Sequence, residues 1–305
     1  MSYDVVIVGA GPAGLSAAIY CARKNLSTLI LSKNVGGQTA WSSHIENYLG
    51  YVGISGFDLT QKFREHVNQY KVPLQEGESQ TVVSIEKTVA GFSTRTKNGK
   101  TYASRAVIVA SGKLPRKLNV PGEDRFFGKG ITYCATCDAP LFPNKDVVVI
   151  GGGNSAMDAV FQLDKIAKSI YVLNVLPSLQ CDPIYKEKLA KLSKVTVLGE
   201  AQITGFEGEV LLKKITFEHN GVAKSLDVQG AFIEIGSLPS TDFASLVKKN
   251  KWNEIIVNNT AETSLPGVFS AGDVTDVPEK QTIVAAGEGA KAGVRVFEYL
   301  SKQKD

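Results

Sequence analysis

Cys134 and Cys137 lie in the stretch YCATCDAP, separated by Ala135 and Thr136 and followed at once by the carboxylate of Asp138. Two thiols at this spacing can clamp a metal, cross-link the chain or carry electrons. A structural zinc needs four ligands, usually completed by a second such pair or by two close histidines. Cys21 falls inside a helical pattern, Cys181 follows a loop, and His44, His66 and His219 are scattered, so nothing supplies the other half. A cross-link that closes so small a loop would add little stability. A redox pair meets every constraint: the sulfurs can reach each other, the motif can lower one thiol's pKa, and exchange with a second disulfide needs no metal. Asp138 is then the nearest group able to give a proton to a leaving thiolate or take one from it, because no histidine is close in sequence. Its alternative role is a helix N-cap. Cys21, set among Ala and Ile, reads as a buried inert thiol, and Cys181 in LQCDPIY as a thiol outside the redox pair.

The elements around this pair form one pattern used twice. Tyr3 to Val8 is a continuous apolar run that predicts a buried parallel strand. Gly9-Ala10-Gly11-Pro12-Ala13-Gly14 follows, then a helical segment with Leu15, Ala18, Ile19 and Ala22 on one face, then the strand STLILS ending at Ser32. The same order recurs as DVVVI (146–150), Gly151-Gly152-Gly153-Asn154-Ser155-Ala156, the helix MDAVFQLDKIA and the strand SIYVLN ending at Asn174. The spacing from Gly9 to Ser32 equals that from Gly151 to Asn174. In such a loop the first glycine permits the turn and the second lets backbone approach a pyrophosphate. The third position, Gly14 or Ala156, must be small so that helix and strand pack closely. The following helix offers free N–H groups to the phosphates. Each loop sits between a strand and a helix, the context that gives the pattern meaning. Two further strands, AVIVASG and GVFSAGD, end at Ser111-Gly112 and Gly272-Asp273, as expected at the carboxyl edge of an open parallel sheet.

Composition narrows the class. A chain of 305 residues can build two domains, and 43% hydrophobic with 21% charged residues is the make-up of a globular protein. The net charge of +4 is spread along the sequence, so no basic block points to nucleic acid. Met1-Ser2-Tyr3 runs straight into DVVIVGAGPAG with no export signal, and no apolar run approaches the roughly 18 residues of a membrane span. A cytoplasmic protein is expected.

The order of these motifs resembles the low-molecular-weight thioredoxin reductases, FAD-dependent pyridine nucleotide-disulfide oxidoreductases. The likeness runs the whole chain: GAGPAG (9–14), GGQ (36–38), IENYLG (45–50), ASG (110–112), CATCD (134–138), GGGNSA (151–156), AGDV (271–274) and QTIVAAGEG (281–289). It implies an α/β protein with two Rossmann-like dinucleotide-binding domains in a glutathione-reductase-like fold. Residues 1–112 and 240–305 would form the FAD domain, and 113–239 an inserted NAD(P)-type domain that carries the cysteines. By the same resemblance Gly9, Gly11 and Gly14 hold the FAD pyrophosphate, Gln38 and Asn47 lie along the flavin, Asp273 bonds the ribitol, and Gln281 and Thr282 approach the isoalloxazine. Pro12, Ala13, Gly37, Ala110, Ser111, Gly112, Gly272 and Ile283 complete that lining. Ser32 stands where many FAD folds place an acid for the adenine ribose, and a serine can still bond a hydroxyl. Cys137 would face the flavin and Cys134 would attack a thioredoxin-like protein. A homodimer is implied, as is rotation of the inserted domain on hinges near 113–118 and 236–240.

One place departs from the family. NADPH-using members carry a His-Arg-Arg-x-x-x-Arg run after the second strand of the inserted domain, but residues 174–180 read NVLPSLQ, with no basic residue and no acid at Asn174. Losing a charge-assisted pair to the 2′-phosphate costs about 1.5 to 3 kcal/mol, roughly one to two decades in affinity. Gly151, Gly153, Asn154, Ser155 and Ala156 would then form a weak or vestigial NAD(P) site. Three functions fit: a thioredoxin reductase fed weakly by NADPH or by NADH; a relative fed by ferredoxin or a reduced deazaflavin, or running backwards as a dithiol oxidase; and a non-catalytic flavin-binding protein. The intact CATCD argues against the last.

Overall fold

A computed structural model describes residues 2–303 apart from Ser43, His44 and Glu46, and the side chains of Thr136 and Cys137 lie outside the described residues. The chain forms two compact units, Met1–Leu114 with Leu238–Asp305, and Pro115–Ser237.

The first unit begins with β1 (Ser2–Ala10), α1 (Pro12–Arg23) and β2 (Thr28–Val35), followed by α2 (Gly56–Gln69) and β3 (Leu74–Glu76). An antiparallel run of β4 (Val82–Thr88), β5 (Gly91–Thr96) and β6 (Thr101–Val109) follows, and β7 (Lys113–Pro115) leads out. β1 is a central strand, paired in parallel with both β2 and β6, and its two faces pack into separate core clusters, which is why an unbroken apolar run forms it. Alternation along these strands divides the core. Val5, Ile7, Ile30 and Ile108 pack on one side, and Val6, Val8, Leu29, Leu31, Val107 and Val109 on the other. β2 runs on to Val35, past the Ser32 end read from sequence, because Ala10 pairs with Val35 after an irregularity in the register.

The second unit comprises α3 (Glu123–Phe126), β8 (Ile131–Thr132), α4 (Ala135–Asp138), β9 (Asp146–Ile150), α5 (Asn154–Asp164), β10 (Ser169–Leu173), α6 (Pro183–Leu189) and β11 (Val195–Leu198). β12 (Ala201–Gly208), β13 (Leu212–His219) and β14 (Val222–Asp227) form a separate antiparallel sheet. β15 (Gly230–Ile233) returns to the parallel sheet, whose order is β11-β10-β9-β15-β8. β16 (Ser237–Pro239) re-enters the first unit and pairs with β7.

There β17 (Val268–Ser270) joins the end of β6, and α7 (Thr282–Ser301) packs on α1. That packing explains two helix-interior glycines. A Cβ on Gly289 would fall 2.0 Å from the Ala13 carbonyl oxygen, and one on Gly293 would fall 2.9 Å from that of Ala17. Among the described residues no helix is long and apolar enough to cross a membrane.

Candidate functional site

β8 ends at Thr132, and two residues later Cys134 occupies the N-cap position of the single-turn α4 in an extended conformation. Cys134 is engaged in a disulfide. Cys137 also belongs to this turn, but its side chain lies outside the described residues. Thr132 organises the turn: its Oγ1 accepts the Cys134 N–H at 3.1 Å and donates to the Asp138 carboxylate. The Asp138 N–H in turn donates to the Cys134 carbonyl at 3.1 Å. Burial raises the Asp138 carboxyl above its ordinary range, and the Thr132 bond offsets part of that rise. Asp138 does stand at the N-cap position of the short turn Ala139–Leu141, but its side chain makes no cap bond there and is turned to Thr132 instead.

Behind the turn lie two acids that sequence reasoning passed over. Glu123 is 2% exposed and accepts the N–H groups of Leu118 (2.9 Å) and Asn119 (2.6 Å) and the Tyr133 hydroxyl (2.8 Å). It ties the strand before Cys134 to the entrance of this unit, and burial together with this bond holds the Tyr133 phenol well above its usual range. Glu234 directly follows β15, and its Oε1 accepts the Ala135 N–H at 3.4 Å. Burial pushes its carboxyl up to about 7, with the charge of Asp158 adding to the rise. The one signal for Glu234 in the sequence is a carboxylate that interrupts the apolar run of Ala231, Phe232, Ile233 and Ile235.

In the first unit the residues singled out from sequence gather at the carboxyl ends of β1, β6 and β17. Gly9 has φ of 107°, and a Cβ there would sit 2.2 Å from the Ala110 carbonyl oxygen; one on Gly14 would sit 1.9 Å from that of Gly9. Gly11 and Gly112 face open space instead. Pro12 opens α1, Ala13 lies under Gly272, and Gly37 faces Gly11. Ser32 is buried, with its Oγ accepting from Ala10 N and donating to Asn34 O, so its proton is already committed within the chain. Gln38 donates to the Lys113 carbonyl (3.0 Å), Asn47 to Gln281 Oε1 (3.0 Å), and Ser111 to the Ser240 carbonyl (2.6 Å). Thr282 and Thr39 share a hydroxyl bond at 3.1 Å, while Ile283 is half-exposed. Burial raises the Asp273 carboxyl, with Lys280 and Lys113 opposing the rise. These lysines both approach Glu254, at 2.6 Å from Lys113 and 3.6 Å from Lys280, in a cluster that the sequence did not announce.

The second glycine loop is built on the same plan, with Gly151 at φ of 135° and a Cβ there 2.2 Å from the Glu234 carbonyl oxygen. Ala156 is buried, Gly153 faces open space, and Asn154 and Ser155 are exposed at the head of α5. The segment that follows β10 turns back onto the loop. Asn174 Nδ2 donates to the carbonyls of Leu176 and Ser178, both at 2.8 Å, and the Gln180 N–H donates to Gly152 O at 2.7 Å. Asn154 exchanges hydrogen bonds with Asp182 through both side chain and backbone. Cys181 and Cys21 are free and buried, and burial pushes the Cys21 thiol up to about 12. His44, weighed above as a metal ligand, lies outside the described residues.

Comparison with known proteins places these features in context. The family model for pyridine nucleotide-disulphide oxidoreductases matches residues 3–289. A component of the alkyl hydroperoxide reductase of Escherichia coli is 39% identical across 99% of the chain, which spans 59% of that relative's length. Two solved thioredoxin reductases are similar over nearly the full length of both chains. That of T. acidophilum has 37% identity and a TM-score of 0.75 over 100% of this chain and 99% of its own. That of Streptococcus pyogenes has 33% identity and a TM-score of 0.81 over 99% of each.

Proposed function

The chain belongs to the pyridine nucleotide-disulphide oxidoreductase family, and we propose that it is a flavoprotein disulfide reductase of the thioredoxin reductase kind, moving an electron pair through FAD to the Cys134-Cys137 disulfide and on to a thioredoxin-like protein. The observation that carries this reading is the engagement of Cys134 in a disulfide at the head of the turn that ends in the partly buried acid Asp138. The first unit suits FAD: Gly11 and Gly112 leave open space where side chains would stand, and Asp273 has a desolvated carboxyl with no hydrogen-bonding partner among the described residues. Bound there, FAD supplies reversible two-electron chemistry. Gly9, Gly11 and Gly14 would hold its pyrophosphate, Asp273 its ribitol, and Gln38, Asn47, Gln281 and Thr282 its ring.

Once the disulfide has accepted an electron pair, the Cys134 sulfur attacks the partner's disulfide, and the displaced partner sulfur leaves as a thiolate and takes a proton. Cys137 then attacks the mixed disulfide, which restores the internal bond and releases the partner as a dithiol. Asp138, biased by burial toward its protonated form, holds the proton that a thiolate of the pair requires. A Cys137→Ser chain, in which the mixed disulfide cannot be resolved, should capture a thioredoxin-like protein through Cys134. Failure to capture any such protein would remove the exchange role. A homodimer in the cytoplasm is the setting in which we place this activity.

The donor admits a second reading. Asn174 spends its amide on its own backbone, and the polar ends of Asn174 and Gln180 pack on Gly152, where a Cβ would meet them at 2.6 and 2.9 Å. No cation stands in 174–180 to pair with a 2′-phosphate. These features favour an electron carrier such as ferredoxin over NADPH, with NADH between the two. Anaerobic mixing with NADPH, then NADH, separates the readings: rapid bleaching of the visible flavin band by NADPH would exclude the carrier.

A further inference from the structure

Glu234 is placed where no reading of the disulfide chemistry uses it. Its backbone is locked by strand pairing, with its N–H donating to the Ile150 carbonyl at 2.8 Å and its own carbonyl packed on Gly151. The side chain turns toward the redox turn, where Oε1 accepts the N–H of Ala135, the residue bonded to Cys134, at 3.4 Å. The other groups facing it offer no compensation. From α5 comes the carboxylate of Asp158; the Asp138 carboxyl of α4 is turned to Thr132; the loop after β9 presents only backbone. Among the described residues no lysine, arginine or histidine forms an ion pair with Glu234.

A carboxylate bonded to the amide next to a cysteine sets a negative charge near that sulfur, and two like charges disfavour each other. We propose that Glu234 is a positioning residue for Cys134, which holds the Ala135 N–H and, when ionised, disfavours the Cys134 thiolate through its charge, and which when protonated lifts that penalty. Reduction of the disulfide breaks the S–S bond and places on the two sulfurs an electron pair that bound FAD would supply. The accompanying protons come from water, and a proton held on Glu234 favours leaving Cys134 as the thiolate. Burial, which pushes the Glu234 carboxyl up to about 7, sets this exchange near neutral pH. The inference rests on Cys134 being the exchanging thiol.

The test uses the full-length, flavin-loaded chain with Cys137→Ser, so that Cys134 stays a thiol while the other two thiols, Cys21 and Cys181, are buried. Its alkylation by iodoacetamide is followed as a function of pH by mass of the Cys134 peptide. The parent is expected to show two inflections. Glu234→Gln keeps an oxygen for the Ala135 N–H but cannot ionise; it should show one inflection and react about tenfold faster above neutral pH, one unit of thiol pKa. A purely structural residue would leave the two profiles superimposed, and that result would overturn the proposal. Should Glu234→Gln fail to fold, Asp158→Asn, at an exposed position of α5, serves instead. It removes the neighbouring charge and should move the Glu234 inflection to lower pH, and an unmoved inflection would equally overturn the proposal. Capture of a partner is read separately in the same Cys137→Ser chain, so failure of the exchange role and failure of this inference give different results.

Discussion

The Thr132 hydroxyl donates to the Asp138 carboxylate while its oxygen accepts the Cys134 N–H at 3.1 Å, so one side chain holds both ends of the redox turn. Its bond also opposes the upward push of burial on Asp138. In Thr132→Val the acid is expected to stay protonated to higher pH, so the inflection it imposes on disulfide exchange moves upward. Exchange should then hold its rate to higher pH, by about one pH unit for the ~1.4 kcal/mol of one lost hydrogen bond. Stopped-flow reduction of a small disulfide across pH checks this, and an unchanged profile would count against Asp138 as the proton carrier.

Stability should depend on pH through Glu234. A carboxyl raised from 4.5 to about 7 by folding binds its proton more tightly in the native state than in the unfolded chain. Its contribution to stability is fully present below about pH 4.5 and is lost as pH rises through about 7. Relative to the parent, Glu234→Gln should gain stability over that window, levelling at up to ~3 kcal/mol above it. Urea unfolding of the two flavin-loaded proteins at matched pH values measures the difference; a gap that stays constant with pH would refute the assignment.

Two glycines three residues apart should respond in opposite ways. A Cβ on Gly14 would collide with backbone at 1.9 Å, whereas one on Gly11 meets nothing within 4 Å. Gly14→Ala is therefore expected to impair folding. Gly11→Val should fold, judged by circular dichroism, yet bind FAD at least about tenfold more weakly, ~1.4 kcal/mol, because the branched side chain fills the cradle. Undiminished flavin in Gly11→Val would place the pyrophosphate elsewhere.

The second glycine loop can be tested by addition. Val175 and Leu176 are 63% and 49% exposed, so arginines there should be tolerated. If the loop still docks a dinucleotide, Val175→Arg with Leu176→Arg should improve NADPH affinity by roughly one to two decades. No gain, measured by flavin bleaching against NADPH concentration, would mean that the segment folded onto Gly152 keeps the nucleotide out.

The two glycine loops were legible because geometry leaves no choice there: Gly9 and Gly151 take positive φ under an approaching strand, and Gly14 abuts a carbonyl. Buried strands were legible for a similar reason, since only a run such as Val5 to Val8 suits a strand covered on both faces. The antiparallel sheet of β12, β13 and β14 went unread, although Asn220-Gly221, both at positive φ, marks its second hairpin. The acids were harder. Glu123 and Glu234 act through partners distant in sequence or through burial, and nothing in a local pattern distinguishes a carboxyl aimed at Ala135 from one aimed at water. Ser32 was visible as a position, but its commitment to Ala10 and Asn34 depends on how β1 and β2 pair.

The central claim is that the disulfide made by Cys134 exchanges electrons with bound flavin. An anaerobic dithionite titration of the flavin-loaded protein tests it most directly. Wild type is predicted to take up two electron pairs per chain, one for the flavin and one for the disulfide, and Cys134→Ser only one. A wild-type protein that bleaches fully with a single pair, and is then indistinguishable from Cys134→Ser, would contradict the account.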